Sequence, residues 1–263
     1  MENTGIIALL TDFGTKDYFV GAMKGAILRI NSNVKIVDIT HEITPQNILE
    51  ASFTLRACYR NFPPETIFVC VVDPGVGSSR RAILVETEAY FFVAPDNGLL
   101  SFVFDESESF SVFELTNEKF FAANISATFH GRDLFAPVAA HLSHGVKPKE
   151  FGAAISDFKR FAETKPKLTS KNETQAEIIH IDRFGNLITN LKRADLPENF
   201  ALGVGAKRIE KLRKYFAEAE ESEVFMIFGS ADFLEIAAFQ DSAKELLKAK
   251  TGQKITVVKF TKP

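Results

Sequence analysis

The sequence contains no tryptophan and only two cysteines among its 263 residues. Cys58 and Cys70 do not form a C-x-x-C pair, and no cluster of histidine and cysteine has zinc-site spacing, so we predict no metal centre. Cys70 lies inside the apolar run TIFVCVV, and we expect it to be buried as a small hydrophobic residue. The cysteine content therefore points away from a zinc-based function.

Long hydrophobic runs and an excess of positive charge are also lacking. The N-terminal run IIALL is too short for a signal-peptide core or a membrane span, and MENTG before it is acidic, so we expect a cytoplasmic protein without a membrane partner. The formal net charge of −3 argues against a broad nucleic-acid-binding face, because neutralising phosphates requires clustered lysine and arginine. With 46% hydrophobic and 25% charged residues, the composition is that of an ordinary soluble globular protein.

Phenylalanine, in contrast, is abundant. The chain has 26 phenylalanines but only 4 tyrosines. We expect most of the phenylalanines in the core and regard the others as candidates to line a pocket for a flat ring. The count does not indicate which ones do so.

The first 160 residues alternate between strand and helix patterns. Apolar runs that stop at turn residues predict strands, and apolar residues at helical spacing predict helices. The predicted strands are 6–11, 34–40, 66–73, RAILVET and YFFVA, and the predicted helices are 18–30, 48–62 and 134–142. This alternation predicts an N-terminal α/β domain, residues 1–160, with a mostly parallel sheet.

The pattern changes after a polar, lysine-rich stretch, residues 161–175, which we predict to be a linker. Residues 176–263 then contain short apolar runs separated by turns. The predicted strands there are AEIIHID, NLITNL, EVFMIFG, FLEIAAF and KITVVKF, and DSAKELLKA is the one helical pattern. We therefore predict a smaller C-terminal β domain, mainly antiparallel and barrel-like.

Two acidic residues lie in the loop that follows the first predicted strand. Asp12 and Asp17 belong to TDFGTKDYF, and ligands of open α/β sheets bind at the carboxyl ends of the strands. A carboxylate there can hold a ribose diol, because it accepts two hydroxyl hydrogens at once. The alternative is turn chemistry, in which Asp12 and Gly14 only shape the loop.

The stretch VVDPGVGSSRR, residues 71–81, has glycines and arginines after a predicted strand. Its spacing matches neither G-x-x-x-x-G-K-[ST] nor G-x-G-x-x-G, so a nucleotide-phosphate loop is disfavoured. A second interpretation places Asp73 at a strand end with an arginine that returns towards it and keeps the carboxylate ionised. The third is a surface turn with an ordinary ion pair, contributing about 0–1 kcal/mol.

A lone histidine, His130, stands in FHGRDLF just before a predicted helix. A lone histidine is more often structural than catalytic. Here Gly131 permits close backbone approach, and Arg132 and Asp133 follow in the expected first turn of the helix. These neighbours make His130 the strongest histidine candidate for a site.

The predicted C-terminal domain has two candidate segments. In IDRFGNLITN, Phe184 is suited to stacking on a flat ring, and Asn186 is suited to binding an amino-acid carboxylate or a purine edge. The alternative is a β-hairpin turn with Phe184 in the core. The second segment, GSADFLEIA, is a strand, a turn of small residues and another strand.

No single motif is strong, but the set and its order are specific. Together they resemble the S-adenosyl-L-methionine hydroxide adenosyltransferase family, which is related to the bacterial fluorinase and chlorinase. The resemblance extends from about residue 5 to the C-terminus. The motifs are TDFGTKD, VDITHEITPQNI, VVDPGVGSSRR, APDNGLL, FHGRDLFAPVAAHL, IDRFGNLITN and GSADFLEIA.

The resemblance implies a homotrimer in which S-adenosyl-L-methionine lies between the N-terminal domain of one subunit and the C-terminal domain of its neighbour. S-adenosyl-L-methionine is then the substrate, and no cofactor is implied. The implied reaction is hydrolysis to adenosine and L-methionine by attack of an activated water or hydroxide on C5′ of the ribose. The alternatives are a halogenase that uses chloride or fluoride and a non-catalytic sensor that binds S-adenosyl-L-methionine.

The resemblance also implies roles for particular residues. Asp73, Arg80 and His130 match the catalytic set of the hydroxide-using branch, although one residue of loop slippage would exchange Arg80 for Arg81. Asp12 matches a ribose contact, and the implied substrate-binding residues as a whole are Asp12, Asp17, Gln46, Asn97, Phe129, Asp182, Phe184, Asn186 and Ser230.

Departures from the fluorinase pattern favour water over halide as the nucleophile. Fluorinase-like enzymes have a tyrosine in place of Asp73, a tryptophan in place of Gln46 and a serine in the turn that reads FHGRD here. Ala231 stands where the fluorinase has an arginine, so the residues for the methionine end of the substrate match less closely.

Overall fold

The computed structural model of the protein describes residues 5–161 and 165–260. The chain divides into two compact units, Met1–Ala162 and Glu163–Pro263. In the described ranges, no helix combines the length and the apolar character needed to cross a membrane.

The N-terminal unit has one six-stranded sheet flanked by helices. Its elements are β1 (Ile6–Thr11), α1 (Phe19–Ile30), β2 (Lys35–Thr40), α2 (Ile48–Cys58), β3 (Ile67–Val71), β4 (Ala82–Thr87), β5 (Phe91–Pro95), α3 (Ser101–Glu106), β6 (Phe110–Glu114) and α4 (Ala136–Ser143).

The strand order is β2-β1-β3-β5-β4-β6, and three of the five neighbouring pairs are parallel. The predicted α/β class is therefore confirmed, with a mixed sheet. Strand β4 runs antiparallel to β5 because the three residues between them allow a hairpin but no crossover helix.

The apolar runs of the sequence become strands that are covered on both faces. Along β1, Leu9 packs into the core beside α1 and α4, whereas the next residue, Leu10, packs into the core beside α2 and α3. Alternating side chains of a strand point to opposite faces, so a strand covered on both sides needs an unbroken apolar run.

The topology gathers several loops at one edge of the sheet. The parallel strands β1, β3 and β5 all end there, and the antiparallel β4 begins there, with Ala82 opposite Pro95. The loop between β3 and β4, residues 72–81, is called the β3–β4 loop below. This edge is where open α/β sheets bind ligands.

Two helices differ from the sequence-based prediction. The predicted helix 48–62 ends at Cys58 and continues as a 3₁₀ turn, Tyr59–Asn61. The predicted helix 134–142 begins as α4 only at Ala136, after a π-helical turn, Gly131–Phe135. Pro137 is compatible with α4 because it lies in the first turn, where a backbone N–H has no hydrogen-bond partner within the helix.

The C-terminal unit is an eight-stranded sheet in which every neighbouring pair is antiparallel. Its elements are β7 (Lys167–Ser170), β8 (Glu173–Ile181), β9 (Leu187–Lys192), β10 (Phe200–Val204), β11 (Lys207–Ile209), β12 (Val224–Phe228), β13 (Phe233–Ala238), α5 (Ala243–Leu247) and β14 (Lys254–Lys259).

The two edges of this sheet approach each other. The segment after β11 pairs with β12, because Met226 N donates to Lys211 O at 2.8 Å and Arg213 N donates to Met226 O at 2.9 Å. The sheet is therefore nearly closed, and the predicted antiparallel, barrel-like architecture is confirmed.

The segment predicted as a linker, residues 161–175, differs from that prediction where it is described. Strand β7 lies within it and pairs with β8, whose first residues also belong to the segment. Every residue of β7 is exposed, so the strand lacks the apolar signal by which strands are recognised. Residues 162–164 of the predicted linker lie outside the described residues.

Candidate active site

The structure brings Asp73, Arg80 and His130 into one hydrogen-bonded group. Arg80 Nε lies 2.9 Å from each carboxylate oxygen of Asp73, and Arg80 Nη2 also donates to Asp73 Oδ2. Arg80 Nη2 lies 3.0 Å from His130 Nδ1. The side chains of Arg80 and Asp73 are only 7% and 5% exposed, so this ion pair is largely shielded from solvent.

The hydrogen bond from Arg80 defines the protonation of His130. A guanidinium has donors and no acceptor, so Nδ1 of His130 accepts, and the proton of the neutral ring is on Nε2. Burial lowers the pKa of His130, and the positive charge of Arg80 lowers it further, against the opposing charges of Asp73 and Asp133. Both effects favour the neutral ring, in which the proton is on Nε2.

Two features that the sequence did not single out hold this group in place. Phe135, which is fully buried, lies under Arg80 with 5.2 Å between the guanidinium carbon and the ring centre. Gly77 has a φ of +75°, and a Cβ there would overlap the carbonyl oxygen of Ala127, so the β3–β4 loop packs tightly against the segment before His130.

The neighbouring arginine, Arg81, points to a different set of partners. Its Nε and Nη2 donate to Asp96 Oδ2 at 3.1 and 2.9 Å, and its Nη1 donates to Asp157 Oδ1 at 2.8 Å. Of the two candidate arginines, Arg80 is thus the one that contacts Asp73.

Asp12 connects two loops at the same edge of the sheet. Its Oδ2 accepts from the backbone N–H of Gln46 at 2.8 Å. Gln46 has a φ of +66°, and its side chain is exposed, as is that of Asp17. The Asp12 carboxylate therefore contributes to the shape of this edge through a partner in another loop, 34 residues further along the chain.

Asn97 and Phe129 have contacts within the protein. Asn97 Nδ2 donates to Val72 O at 2.8 Å, and its Oδ1 accepts from Leu99 N at 3.2 Å. The ring of Phe129 is buried, with its centre 5.2 Å from that of Phe19 in an edge-to-face arrangement. Both residues therefore have well-defined protein partners at this edge of the sheet.

The C-terminal candidates form a hairpin between β8 and β9. Asp182 Oδ1 accepts from the backbone N–H groups of Phe184 and Asn186 at 2.9 and 2.8 Å, and Oδ2 accepts from Asn186 Nδ2 at 2.8 Å. These bonds make a tight turn around Gly185, whose φ is +83°. The hairpin interpretation is therefore correct, but Phe184 is 77% exposed and does not belong to the core.

Open cavities flank the exposed ring of Phe184. One, of about 490 Å³, is lined on the hairpin side by Asp182 and Phe184 and on the other side by residues of and around α5. The second, of about 500 Å³, lies between Phe184, Asn186 and Phe216. Ser230 lies exposed in the turn between β12 and β13.

The described part of the chain contains no group of three or more histidine, cysteine, aspartate or glutamate side chains arranged to hold a metal ion. The buried Cys70 matches its expected role in the core.

Comparisons with known proteins identify the family of this chain. The model of the SAM hydroxide adenosyltransferase N-terminal domain matches residues 7–152, and that of the C-terminal domain matches residues 176–256. A protein of Methanocaldococcus jannaschii named (R)-S-adenosyl-L-methionine hydrolase is 35% identical over 96% of this chain and 95% of its own length. A fluorinase of Actinoplanes sp. is 33% identical over 73% of each chain.

A crystal structure of an uncharacterized conserved protein from Thermotoga maritima has the same fold. It superposes with a TM-score of 0.89 at 38% identity and covers 96% of this chain and 100% of its own. Both family models and the near-complete coverage agree with the motifs and their order. The chain belongs to the SAM hydroxide adenosyltransferase family, as its motifs predicted.

Proposed function

We infer that the protein hydrolyses S-adenosyl-L-methionine to adenosine and L-methionine. The observation that carries this inference is the buried group of Asp73, Arg80 and His130, in a chain whose full-length relatives are named hydrolases of this substrate. S-adenosyl-L-methionine is consumed in this reaction, so it is the substrate and not a cofactor.

The chemistry explains why such a group is useful. The sulfonium sulfur leaves C5′ as a neutral thioether and takes the electron pair of the C5′–S bond, so the leaving group needs no general acid. Water is a weak nucleophile, however, and attack requires a group that accepts its proton and dipoles that orient it. The new O–C5′ bond and the broken C5′–S bond must lie in line.

We propose that Asp73 accepts the proton of the attacking water, and the hydrogen bonds of the group support this role. His130 Nδ1 accepts from Arg80 and its Nε2 already carries a proton, so the ring orients the water by donating from Nε2. The Asp73 carboxylate accepts from Arg80 but retains further lone pairs for the water proton. A weak base suffices, because water becomes strongly acidic as its oxygen bonds to carbon. Arg80 keeps the carboxylate and the imidazole at a constant separation.

The remaining predicted residues are proposed as substrate contacts. Asp12 binds the ribose diol through its free oxygen, and Phe184 stacks on a flat part of the ligand. The exposed ring supports this, because it faces two open cavities and is accessible for stacking on a ligand. The other proposed contacts are Asp17, Gln46, Asn97, Phe129, Asp182, Asn186 and Ser230.

The homotrimer, with substrate shared between subunits, remains our proposal for the assembly. It is supported by the family resemblance of the motifs. Sedimentation velocity tests it directly, since a monomer at assay concentrations would exclude a shared site.

We further propose that the enzyme prefers the R configuration at the sulfonium sulfur. The hydrolases of Methanocaldococcus jannaschii and Thermus thermophilus that resemble this chain are named for that diastereomer. Sulfur is pyramidal, so its configuration determines where the methionine chain lies when C5′ is in line with the water. Equal turnover of the two separated diastereomers would contradict this preference.

Fluorination is the second candidate, because fluorinases are among the relatives. The position of Asp73 disfavours it, since an ionised carboxylate beside the nucleophile repels a halide ion. A sensor has no need of a buried group that accepts a proton from water.

Oxygen-18 water distinguishes the three functions. We expect the protein to convert S-adenosyl-L-methionine into methionine and adenosine with one labelled oxygen at C5′, detected by mass spectrometry. A halogenated nucleoside in chloride or fluoride would identify a halogenase. Binding by calorimetry without turnover would identify a sensor.

A further inference from the structure

Asp96 and Asn97, the two residues that follow β5, hold the two ends of the β3–β4 loop. Asn97 holds the first end. Asn97 Nδ2 donates to the carbonyl oxygen of Val72 at 2.8 Å, immediately before Asp73. This bond limits where the loop leaves β3. It therefore restrains the backbone that carries the Asp73 carboxylate.

The other end of the loop is held by the preceding residue, Asp96. The backbone N–H of Asp96 donates to Arg81 O at 2.9 Å, and its carboxylate receives two hydrogen bonds from the Arg81 guanidinium. Asp96 and Asn97 thus contact both ends of the loop that separates Asp73 from Arg80.

The Asp96 carboxylate is itself rigidly held. Asp96 is only 2% exposed, and its second oxygen accepts from the backbone N–H of Lys159 at 2.7 Å. A buried charge with complete hydrogen bonding has one well-defined arrangement, and removal of either partner leaves the other uncompensated.

Arg80 and Arg81 are consecutive residues immediately before β4, and their guanidinium groups bind carboxylates of different segments, Asp73 and Asp96. A bond that anchors Arg81 on Asp96 therefore limits the positions open to the adjacent Arg80.

We propose that Asp96 is a positioning residue for the reaction: by anchoring Arg81, it sets the distance at which Arg80 contacts Asp73 and His130. The proposal rests on the roles inferred above for Arg80 and His130. In this proposal Asp96 acts through its contact with Arg81.

If Arg81 is no longer anchored and Arg80 moves away from Asp73 and His130, two consequences can be measured. A displacement of about 1 Å in a reacting group can slow a reaction about a hundredfold without weakening binding. The charged groups that act on His130 are Arg80, Asp73 and Asp133, and Arg80 is the one that lowers its pKa. Its withdrawal therefore raises the pKa of His130 and moves the acid limb of the rate profile to higher pH.

The test compares Asp96→Asn with Asp157→Asn. Asp157 is the exposed partner of the same arginine, with 78% of its side chain accessible, so its variant removes a contact of Arg81 without releasing Asp96. We expect Asp96→Asn to lower kcat about ten- to a hundredfold with KM within about twofold, and to shift the acid limb to higher pH. We expect Asp157→Asn to match the wild type in all three quantities.

Folding is monitored by circular dichroism and thermal unfolding. If Asp96→Asn does not fold, Arg81→Lys replaces it, because lysine keeps the charge but cannot make the forked contact, and the same changes in kcat and acid limb are expected. A folded variant with wild-type kcat and an unmoved acid limb overturns the proposal.

Arg80→Gln, measured in the same assay, separates this proposal from the proposed function. If Arg80→Gln is inactive and Asp96→Asn behaves as wild type, only the role of Asp96 is wrong. If Arg80→Gln retains full turnover, the role of Arg80 is wrong, and the role of Asp96 falls with it.

Discussion

Arg80 donates hydrogen bonds to both other members of the proposed catalytic group, through Nε and Nη2 to Asp73 and through Nη2 to His130. Its ring contact with Phe135 leaves the guanidinium little freedom to rotate. At the residue scale, one planar cation therefore sets the positions of a carboxylate and an imidazole. A lysine ammonium carries the same charge but lacks the planar set of donors that contacts both partners.

We expect Arg80→Lys to lower kcat about a hundredfold or more while KM changes only severalfold, because the lysine retains the charge but not both contacts. Steady-state kinetics with S-adenosyl-L-methionine measure the effect. Arg160→Lys is a matched control, since Arg160 pairs with Asp105 at the surface of the same unit. Wild-type kcat in Arg80→Lys would exclude a geometric role for the guanidinium.

The pH profile follows from the lowered pKa of His130. Burial and Arg80 favour the neutral ring, so protonation occurs only below the ordinary value of 6.5. Because the neutral ring is the form that accepts from Arg80, turnover is expected to hold at neutral pH and to fall as pH drops through that lowered pKa. An acid limb centred above 6.5, or one that stays at the same pH in His130→Gln, would contradict this assignment.

At the element scale, the β3–β4 loop and the π-helical turn Gly131–Phe135 create the site together. The loop supplies Asp73 and Arg80, while the turn supplies the ring beneath Arg80 and directly follows His130. The backbone N–H of Ala136 donates to Gly131 O, five residues earlier, which is the hydrogen bond of a π turn. The extra residue of a π turn re-aims side chains, which is why such turns recur at functional sites.

Gly77 is the point at which the loop touches the segment before His130. We expect Gly77→Ala to lower both the melting temperature and kcat, because its Cβ would overlap Ala127 O and its φ of +75° is unfavourable for alanine by about 1–2 kcal/mol. Gly145→Ala is the matched control, since Gly145 has a φ of +89° but no atom within 4 Å of a Cβ.

Thermal unfolding and turnover are measured for both glycine variants. The control is expected to lose stability through backbone strain alone and to keep its kcat. A Gly77→Ala variant that differs from the control in neither quantity would show that the close contact has no role in the site.

At the scale of the whole molecule, the two units bury the faces of their sheets in different ways. The N-terminal sheet is covered by helices on both faces, whereas the C-terminal sheet nearly closes on itself. The closure is reinforced by Glu223, which accepts from Lys211 Nζ at 2.6 Å and from Arg213 Nη2 at 2.7 Å. These bonds join the segment after β11 to the start of β12.

The Glu223 contacts make the stability of the C-terminal unit pH-dependent. Hydrogen bonding from Lys211 and Arg213 lowers the pKa of Glu223 from 4.5 to about 2. A carboxyl group whose folded pKa is depressed stabilises the fold above its unfolded pKa, and this contribution is lost as pH falls from about 4.5 through about 2.

We therefore expect Glu223→Gln to lower the melting temperature at neutral pH, with the difference from wild type vanishing near pH 2. Calorimetry as a function of pH measures it. Glu210→Gln is the control, because Glu210, just after β11, pairs with Arg208 in an exposed contact between near neighbours in the chain. A difference between wild type and Glu223→Gln that does not change with pH would contradict the assignment.

Several strands, the division into two units and the family of this protein could be predicted from its sequence alone. Unbroken apolar runs give β1 and β3, because strands covered on both faces admit few polar residues, and the pattern that changes after residue 160 distinguishes an α/β unit from a β unit. The order of the motifs was enough to identify the family. These properties depend on local composition and spacing, which the sequence contains directly.

Other properties depended on the tertiary structure. Arg80 and Arg81 are identical in type and adjacent in the chain, and only the partners that the fold brings near them, Asp73 and Asp96, distinguish their roles. In the same way, Phe129 is buried and Phe184 is exposed although both lie beside a glycine turn. The tautomer of His130 likewise follows from Arg80, fifty residues away in the chain. Each of these outcomes depends on the path of a loop and on partners distant in sequence, which periodicity and spacing do not encode.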